Sequence, residues 1–554
     1  MIKKALFFFF MITMAIFVLT SCGQKGHDVD AAVGSLSTDE LAVDVEILSS
    51  DEFEGRFPAS LGEEKTIAFL KEEFEKVGLK PGNDESYFQD VPLVEITSIP
   101  LSHLIVTGGS KPLPLAFEDD FVGLTQRVQE KVIVTNSDMV FVGYGIVAPE
   151  YDWNDYEGID VHGKTVVMLV NDPGFATEDA ELFNGRAMTY YGRWTYKYEE
   201  AARQGAACAI IIHETEPAAY GWGVVQNGWT GPNFSLVTED GNASRCAVES
   251  WVTLDAAHKI FEAAGEKYDE LKDSAEKPGF KPVPLDLKAS LTMENRIRNA
   301  ISKNVIGLFP GSTHADEYII YTAHWDHFGK KPELEGDQIF NGALDNATGT
   351  AALIELAEAF QQLGSPPRRS ILFLAVTAEE QGLLGSDYYA TNPIYPLTKT
   401  VAVINMDSLN IYGRMKDIRI IGFGQSELDD YVKAYAEEVG RIVLPNPTPE
   451  KGSFFRSDHF PFAKQGVPAL NAGSGVQHVE KGEDWGLEQI ENYIREKYHK
   501  PSDEFDPEWD LSGALEDMQM YFNIGYRLSM EETFPNWNEG SEFKLKRDTD
   551  MQNR

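Results

Sequence analysis

Residues 370–380 read SILFLAVTAEE: an unbroken apolar run from Ile371 to Val376, then two small residues, then the adjacent acids Glu379 and Glu380. A solid apolar run of this length, ending abruptly in polar residues, has the pattern of a strand buried on both faces. Three other stretches share that make: EYIIYTAHWDH at 317–327, VAVINMDSL at 401–409 and GVPALNAG at 466–473. Between the first two strands Leu353, Leu356, Phe360 and Leu363 recur at helical spacing, ended by Gly364 and Pro366. Buried strands alternating with helices predict an α/β fold, a mostly parallel central sheet covered by helices on both faces.

Upstream, Ile67, Leu70, Phe74 and Val77 mark an amphipathic helix closed by Gly78 and Pro81, and SYFQDVPLVEI and HLIVTGG read as half-exposed strands. The character changes between residues 137 and 285, where DMVFVGYGIV, GKTVVMLVNDPG and KYEEAARQGAACAIII form a second strand–helix series without histidines and carboxylates at ligand spacing. Its aromatic stretch YYGRWTY, 190–196, has two readings: a wall facing substrate, or packing inside the module. At 554 residues the chain is too long for one ordinary core, and its formal charge of −40 repels phosphate backbones, which argues against nucleic-acid partners.

Residues 1–21 read as an export signal: Lys3 and Lys4, an apolar run from Ala5 to Leu19, then LTSC ending at Cys22. That ending resembles a bacterial lipobox, which implies lipidation of Cys22, a membrane contact through that lipid anchor only, and a place in the cell envelope; Gly23 fits the outer membrane. An uncleaved membrane anchor is the rival, although fifteen residues are short for a span. Cys208 and Cys246 either pair or stay buried thiols, a choice that spacing leaves open. The expected division is 1–21 signal, 22–40 tether, 41–136 with 286–540 main domain, 137–285 inserted domain and 541–554 tail.

Seven residues carry the chemistry. His324 and Asp326, two apart at a strand end, share a side if the extended backbone continues, and a surface His beside an Asp is the bland alternative. Asp345 in NGALDNATG has an N-cap or turn role as its alternative. Glu379 and Glu380 offer one carboxylate to bind metal and another to accept a proton, whereas adjacent acids on a solvent loop arise often by chance. Asp407 ends a third strand, and His499 sits in the loop YHKPSDEF with Asp503 as a candidate orienting partner. In this order, on successive strand ends, the set is non-random and suggests a metal site.

On these residues, and on LSSDEFEGR, GLKPGN, NVIGLFPG and RSDHFPFAKQGVPAL, the chain resembles the family M28 zinc aminopeptidases; the 163–174 and 197–212 stretches resemble the protease-associated domain inserted in several extracellular peptidases. The resemblance implies a phosphorylase/hydrolase-like zinc exopeptidase fold with that domain inserted, two Zn2+ per chain and peptide substrates cleaved at the N-terminus. Position by position, it implies that His324 and Asp407 bind one zinc, Glu380 and His499 the other, and Asp345 bridges them. Glu379 would be the general base and Asp326 the residue that orients His324.

One position departs from the family. Some members carry a tyrosine three residues before the SDH serine, where this chain has Phe454 in GSFFRSDH. Phe has no donor for an oxyanion, which leaves Arg456 and His459 as candidates, or the metals alone; Arg456 has a structural pairing with Asp458 as its alternative. The same fold also serves carboxypeptidases, glutaminyl cyclases and catalytically silent binding proteins. The first needs a basic pocket for a terminal carboxylate, the second typically uses one zinc, and the third expects broken ligand positions.

Overall fold

A computed structural model describes residues 28–552 and 554. The chain divides into two compact units, one comprising residues up to Asp90, Lys303–Pro445 and Asp458 onward, the other Val91–Ser302 with Asn446–Ser457. The signal and Cys22 lie outside the described residues, among which no helix is long and apolar enough to cross a membrane.

The first unit is built on strands β1 (Lys80–Pro81), the part of β2 (Val283–Phe309) from Lys303 on, β3 (His314–His324), β4 (Arg369–Val376), β5 (Thr400–Asn405), β6 (Asp417–Ile421), β7 (Ile442–Pro445) and β8 (Ala469–Ser474). Their order is β1-β2-β4-β3-β5-β8-β6-β7, with β4, β3, β5 and β8 parallel, β2 antiparallel to β4, and β6 antiparallel to β8. The sheet is thus parallel at its centre and mixed at its margins. Alternate residues face opposite sides: Ile319, Tyr321, Ile371 and Phe373 enter one core cluster, while Ile320, Leu372 and Leu374 enter another. This is why SILFLAV is apolar without interruption.

On the first face lie helices α1 (Thr38–Leu48), α2 (Leu61–Val77), α3 (Thr348–Gln361) and α4 (Ser512–Met530), whose Leu41, Leu70, Phe74, Phe360 and Phe522 join one cluster. Helix α2 stops where its sequence marks, with Gly78 in the left-handed region at φ 89°, and Ser60 caps its start by accepting the Glu63 N–H. Helix α3 differs from its apolar stripe, because Ala351, Ala352, Glu355, Ala357 and Ala359 are buried too. It packs on α1, α2 and α4 as well as the sheet, and alanines on its remaining sides let those helices approach.

Three expected boundaries move. Residues assigned to a tether contain Ala32 and Leu36 of the main core, and residues 28–35 are helical. The expected tail forms the helix Lys544–Gln552, anchored by the buried Arg547, which donates to the Thr400 carbonyl at 3.0 Å. The second unit starts at Val91 rather than 137 and ends at Ser302 rather than 285. Backbone pairing explains this: residues 93–97 pair with Pro232–Leu236, and 105–107 pair with 288–290.

In the second unit Thr165–Leu169, Cys208–Ile212 and Val248–Val252 are parallel neighbours, flanked by Lys131–Phe141 and Phe121–Leu124. Rings of the 190–196 stretch pack on one another, with Tyr191 and Tyr196 centroids 5.0 Å apart and Tyr190 and Tyr196 5.3 Å apart. Packing is therefore the role the structure gives them. Cys208 and Cys246 are buried free thiols.

Candidate metal centre

Strand β3 has β4 on one side and β5 on the other, so successive crossovers run in opposite directions from it. Such a switch point opens a crevice beyond the carboxyl ends of the strands. The sequence places its chemistry there: His324 is the last residue of β3, Glu379 and Glu380 follow β4, and Asp407 follows β5.

Asp345 is the hub. Its Oδ1 lies 3.3 Å from His324 Nε2, and its Oδ2 lies 3.3 Å from His499 Nε2. His324 Nε2 is also 3.6 Å from Asp407 Oδ1, and His499 Nε2 is 3.3 Å from Glu380 Oε2. The five residues thus form two His–carboxylate pairs that share one carboxylate. The Asp345 loop is pinned from behind by Asp503, whose carboxylate accepts the backbone N–H groups of Leu344 at 3.2 Å and Asp345 at 3.1 Å. Asp503 therefore holds Asp345, not His499 as its place in the sequence suggests. His499 is instead stacked on Tyr498, ring centroids 3.7 Å apart.

The expected Asp326–His324 pairing also differs. His324 Nδ1 meets the main-chain oxygen of Asp326 at 3.2 Å, while the Asp326 carboxylate is 3.9 Å away. That carboxylate accepts the backbone N–H of Glu379 at 2.9 Å. A bond from Nδ1 to a carbonyl puts the proton on Nδ1 and leaves Nε2 as the free donor atom.

Two contributors are not apparent in the sequence motifs. The Arg56 guanidinium is buried and donates to the carbonyls of Leu48, Trp325, Asn341 and Gly342 at 2.6–2.8 Å, tying the N-terminal segment to two site loops. His327, fully buried, has Nδ1 2.7 Å from Glu380 Oε1. The close approach of its loop requires glycine at 342: φ is 55°, and a Cβ would lie 2.6 Å from the His327 ring. His327 follows His324 by three residues, and that HxxH spacing was the available signal.

Electrostatics follow from burying so much acid. Burial, then Asp458, Asp407 and Asp345, push the Glu379 carboxyl well above its usual range, and burial, then Asp345 and Glu379, do the same to Glu380. Burial pulls His324 downward, but Glu379, Asp345 and Asp407 outweigh it and hold the imidazole well above its ordinary value. Burial likewise raises Asp326 to about 6 and Asp458 to about 7. For Asp345 burial is overcome by His324 and His499, which hold it well below the carboxylate range.

Such a site fits divalent cations. His324 Nε2 and Glu380 Oε1 are buried atoms without an aligned hydrogen-bond partner among the described residues. Ligand atoms of His324, Glu379 and Asp407 converge within 4.8 Å of one another, as do those of His327, Asp345 and Glu380. A mixed imidazole and carboxylate set is a zinc donor set.

Of the three expected substrate neighbours, His459 lies in the first unit, buried, with Nδ1 3.4 Å from Asn471 Nδ2. Phe454 and Arg456 belong to the second unit. There Phe454 packs edge-on against Phe455, and the exposed Arg456 donates to the Lys451 carbonyl at 2.8 Å. The structural pairing considered for Asp458 is made with the Ser386 hydroxyl at 2.5 Å.

An open α/β sheet with imidazoles and carboxylates gathered at its switch point defines a metal-binding α/β domain. Residues 304–523 match the family model Peptidase family M28. Aminopeptidase NAALADL1 from Mus musculus is 34% identical over 138 residues, covering 24% of this chain and 17% of the relative. Aminopeptidase YwaD from Bacillus subtilis (strain 168) is 29% identical over 213 residues, 37% of this chain and 40% of the relative. The Glutamate carboxypeptidase 2 homolog of Caenorhabditis elegans is 30% identical over 207 residues, 35% of this chain and 24% of the relative. The chain thus spans less than half the length of the curated relatives named here. Among solved structures, the aminopeptidase from Aneurinibacillus sp. strain AM-1 is similar with a TM-score of 0.46 and 18% identity, covering 92% of this chain and 97% of that one.

Proposed function

We propose that this protein is a zinc-dependent exopeptidase that removes N-terminal residues from peptides. The observation that carries this reading is the division of Asp345, whose two oxygens face two separate His–carboxylate pairs. His324 and Asp407 would hold one zinc, Glu380 and His499 the other, with Asp345 between them. Zinc so held supplies Lewis acidity, polarising the scissile carbonyl and making water a better nucleophile near neutral pH.

The chain's own residues do the rest. Glu379 is the general base: half-buried, with a carboxyl of raised proton affinity, it accepts a proton from the attacking water and delivers it to the leaving amine. Asp326 fixes the Glu379 backbone. The acidic surplus of the site attracts a substrate's N-terminal ammonium. With Phe at 454, no tyrosine hydroxyl is available there to stabilise an oxyanion.

The second unit is proposed as a protease-associated module, on the strength of its 163–174 and 197–212 stretches. Residues 1–21 are proposed as an export signal, with lipidated Cys22 holding the protein to the outer membrane or the periplasmic side of the envelope. A chelator should abolish hydrolysis of amino-acyl chromogenic amides, and zinc should restore it. Undiminished activity in metal-free protein would refute the proposed function.

A further inference from the structure

Glu380 is approached from two sides. Its Oε2 lies 3.3 Å from His499 Nε2, and its Oε1 lies 2.7 Å from His327 Nδ1. The His327 ring is fully buried, packs edge-on against Phe328 with centroids 5.0 Å apart, and faces the Gly342 backbone. Its backbone N–H donates to the Arg56 carbonyl at 3.3 Å, and Arg56 in turn holds Trp325, Asn341 and Gly342. This ring is fixed by its surroundings, so it can impose an orientation on what it touches.

We propose that His327 is a positioning residue for Glu380. Its Nδ1–H faces Oε1 and holds the carboxylate so that Oε2 stays directed, with Asp345 Oδ2 and His499 Nε2, at the second metal position. The inference rests on the two-zinc reading above. The terminal torsion of a glutamate is soft and broadly populated, so a carboxylate held by one oxygen only would turn away from its partners. The Nδ1–Oε1 pair is at contact distance without full hydrogen-bond alignment. Spacing assists: His324 and His327, flanking Asp326 at one strand end, serve the two halves of the centre.

The test is a zinc titration of the full, metal-stripped chain against a chromophoric chelator, for wild type, His327→Leu and His327→Asn. Asn can place an amide N–H where Nδ1–H stands, while Leu cannot. Wild type should take up two zinc ions. In His327→Leu one of the two affinities should fall by about 10–100-fold, the usual effect of removing a residue that backs a ligand, with the other unchanged. His327→Asn should stay close to wild type. Equal affinities in wild type and His327→Leu would overturn the proposal; so would His327→Asn losing as much as His327→Leu, which would mark the imidazole as a ligand. A wild-type chain that binds a single zinc would overturn the two-zinc reading itself, and this proposal with it.

Discussion

The Asp326 carboxylate accepts the backbone N–H of Glu379 at 2.9 Å, so the residue just past β3 fixes the loop just past β4. Asp326→Ala should leave a buried N–H without its acceptor, costing about 1–3 kcal/mol, and should lower kcat by letting Glu379 drift. Asp326→Asn keeps an oxygen acceptor and should be milder in both respects. Thermal melts and steady-state kinetics on an amino-acyl amide read the two effects. An Asn variant as damaged as the Ala variant would show that the charge, not the backbone bond, is what matters.

Arg56 serves four carbonyls from one guanidinium. Arg56→Lys keeps a charge but offers one ammonium where a planar fork is needed. It should destabilise the fold by at least about 1–3 kcal/mol for each carbonyl left without a donor. Urea unfolding of the metal-free proteins measures this, and an unchanged midpoint would count against the anchoring role.

The helices α1 and α3 bring Glu40, Glu355 and Glu358 together, with ligand-type oxygens within 4.8 Å. Burial first, then Glu358, Glu40 and Asp44, raise Glu355 to about 8, and burial first, then Glu73, Glu358 and Glu40, raise Asp44 to about 7. Folded-state values above the unfolded ones mean stability that is full below about pH 4 and is lost as pH rises toward 7–8. Glu355→Gln, which can still accept the Ser37 N–H, should therefore raise Tm at pH 8 and change it little at pH 4. The same gain at both values would contradict the assigned direction.

Zinc should stabilise as well as activate. A cation held only by the folded chain stabilises it by RT ln(1 + [L]/Kd), about 2.7 kcal/mol at a hundredfold excess over Kd. Differential scanning calorimetry should show Tm rising with free zinc in wild type and rising less in Asp345→Asn, which weakens the shared ligand. Equal rises would remove Asp345 from the site.

The strand ends were legible because the centres of buried parallel strands are mostly apolar, so His324, Glu379 and Asp407 stand out against apolar runs. Asp345 and His499 were legible only from their order along the chain. Arg56 and Asp503 were harder to read, because each acts on a main chain far away in sequence, through contacts no local pattern encodes. His327 was hidden by its neighbour, since a histidine beside an HxD pair adds nothing to periodicity. The N-terminal and C-terminal helices were misjudged because short polar segments bury a few residues, Ala32, Leu36 and Arg547 among them, that composition averages away.

The most direct test is mass spectrometry of a defined peptide with free N- and C-termini, incubated with zinc-loaded and with metal-stripped protein. Zinc-loaded protein should generate a ladder shortened one residue at a time from the N-terminus, and stripped protein should leave the peptide intact. Loss of residues from the C-terminus, or an N-terminal ladder without metal, would contradict a zinc aminopeptidase.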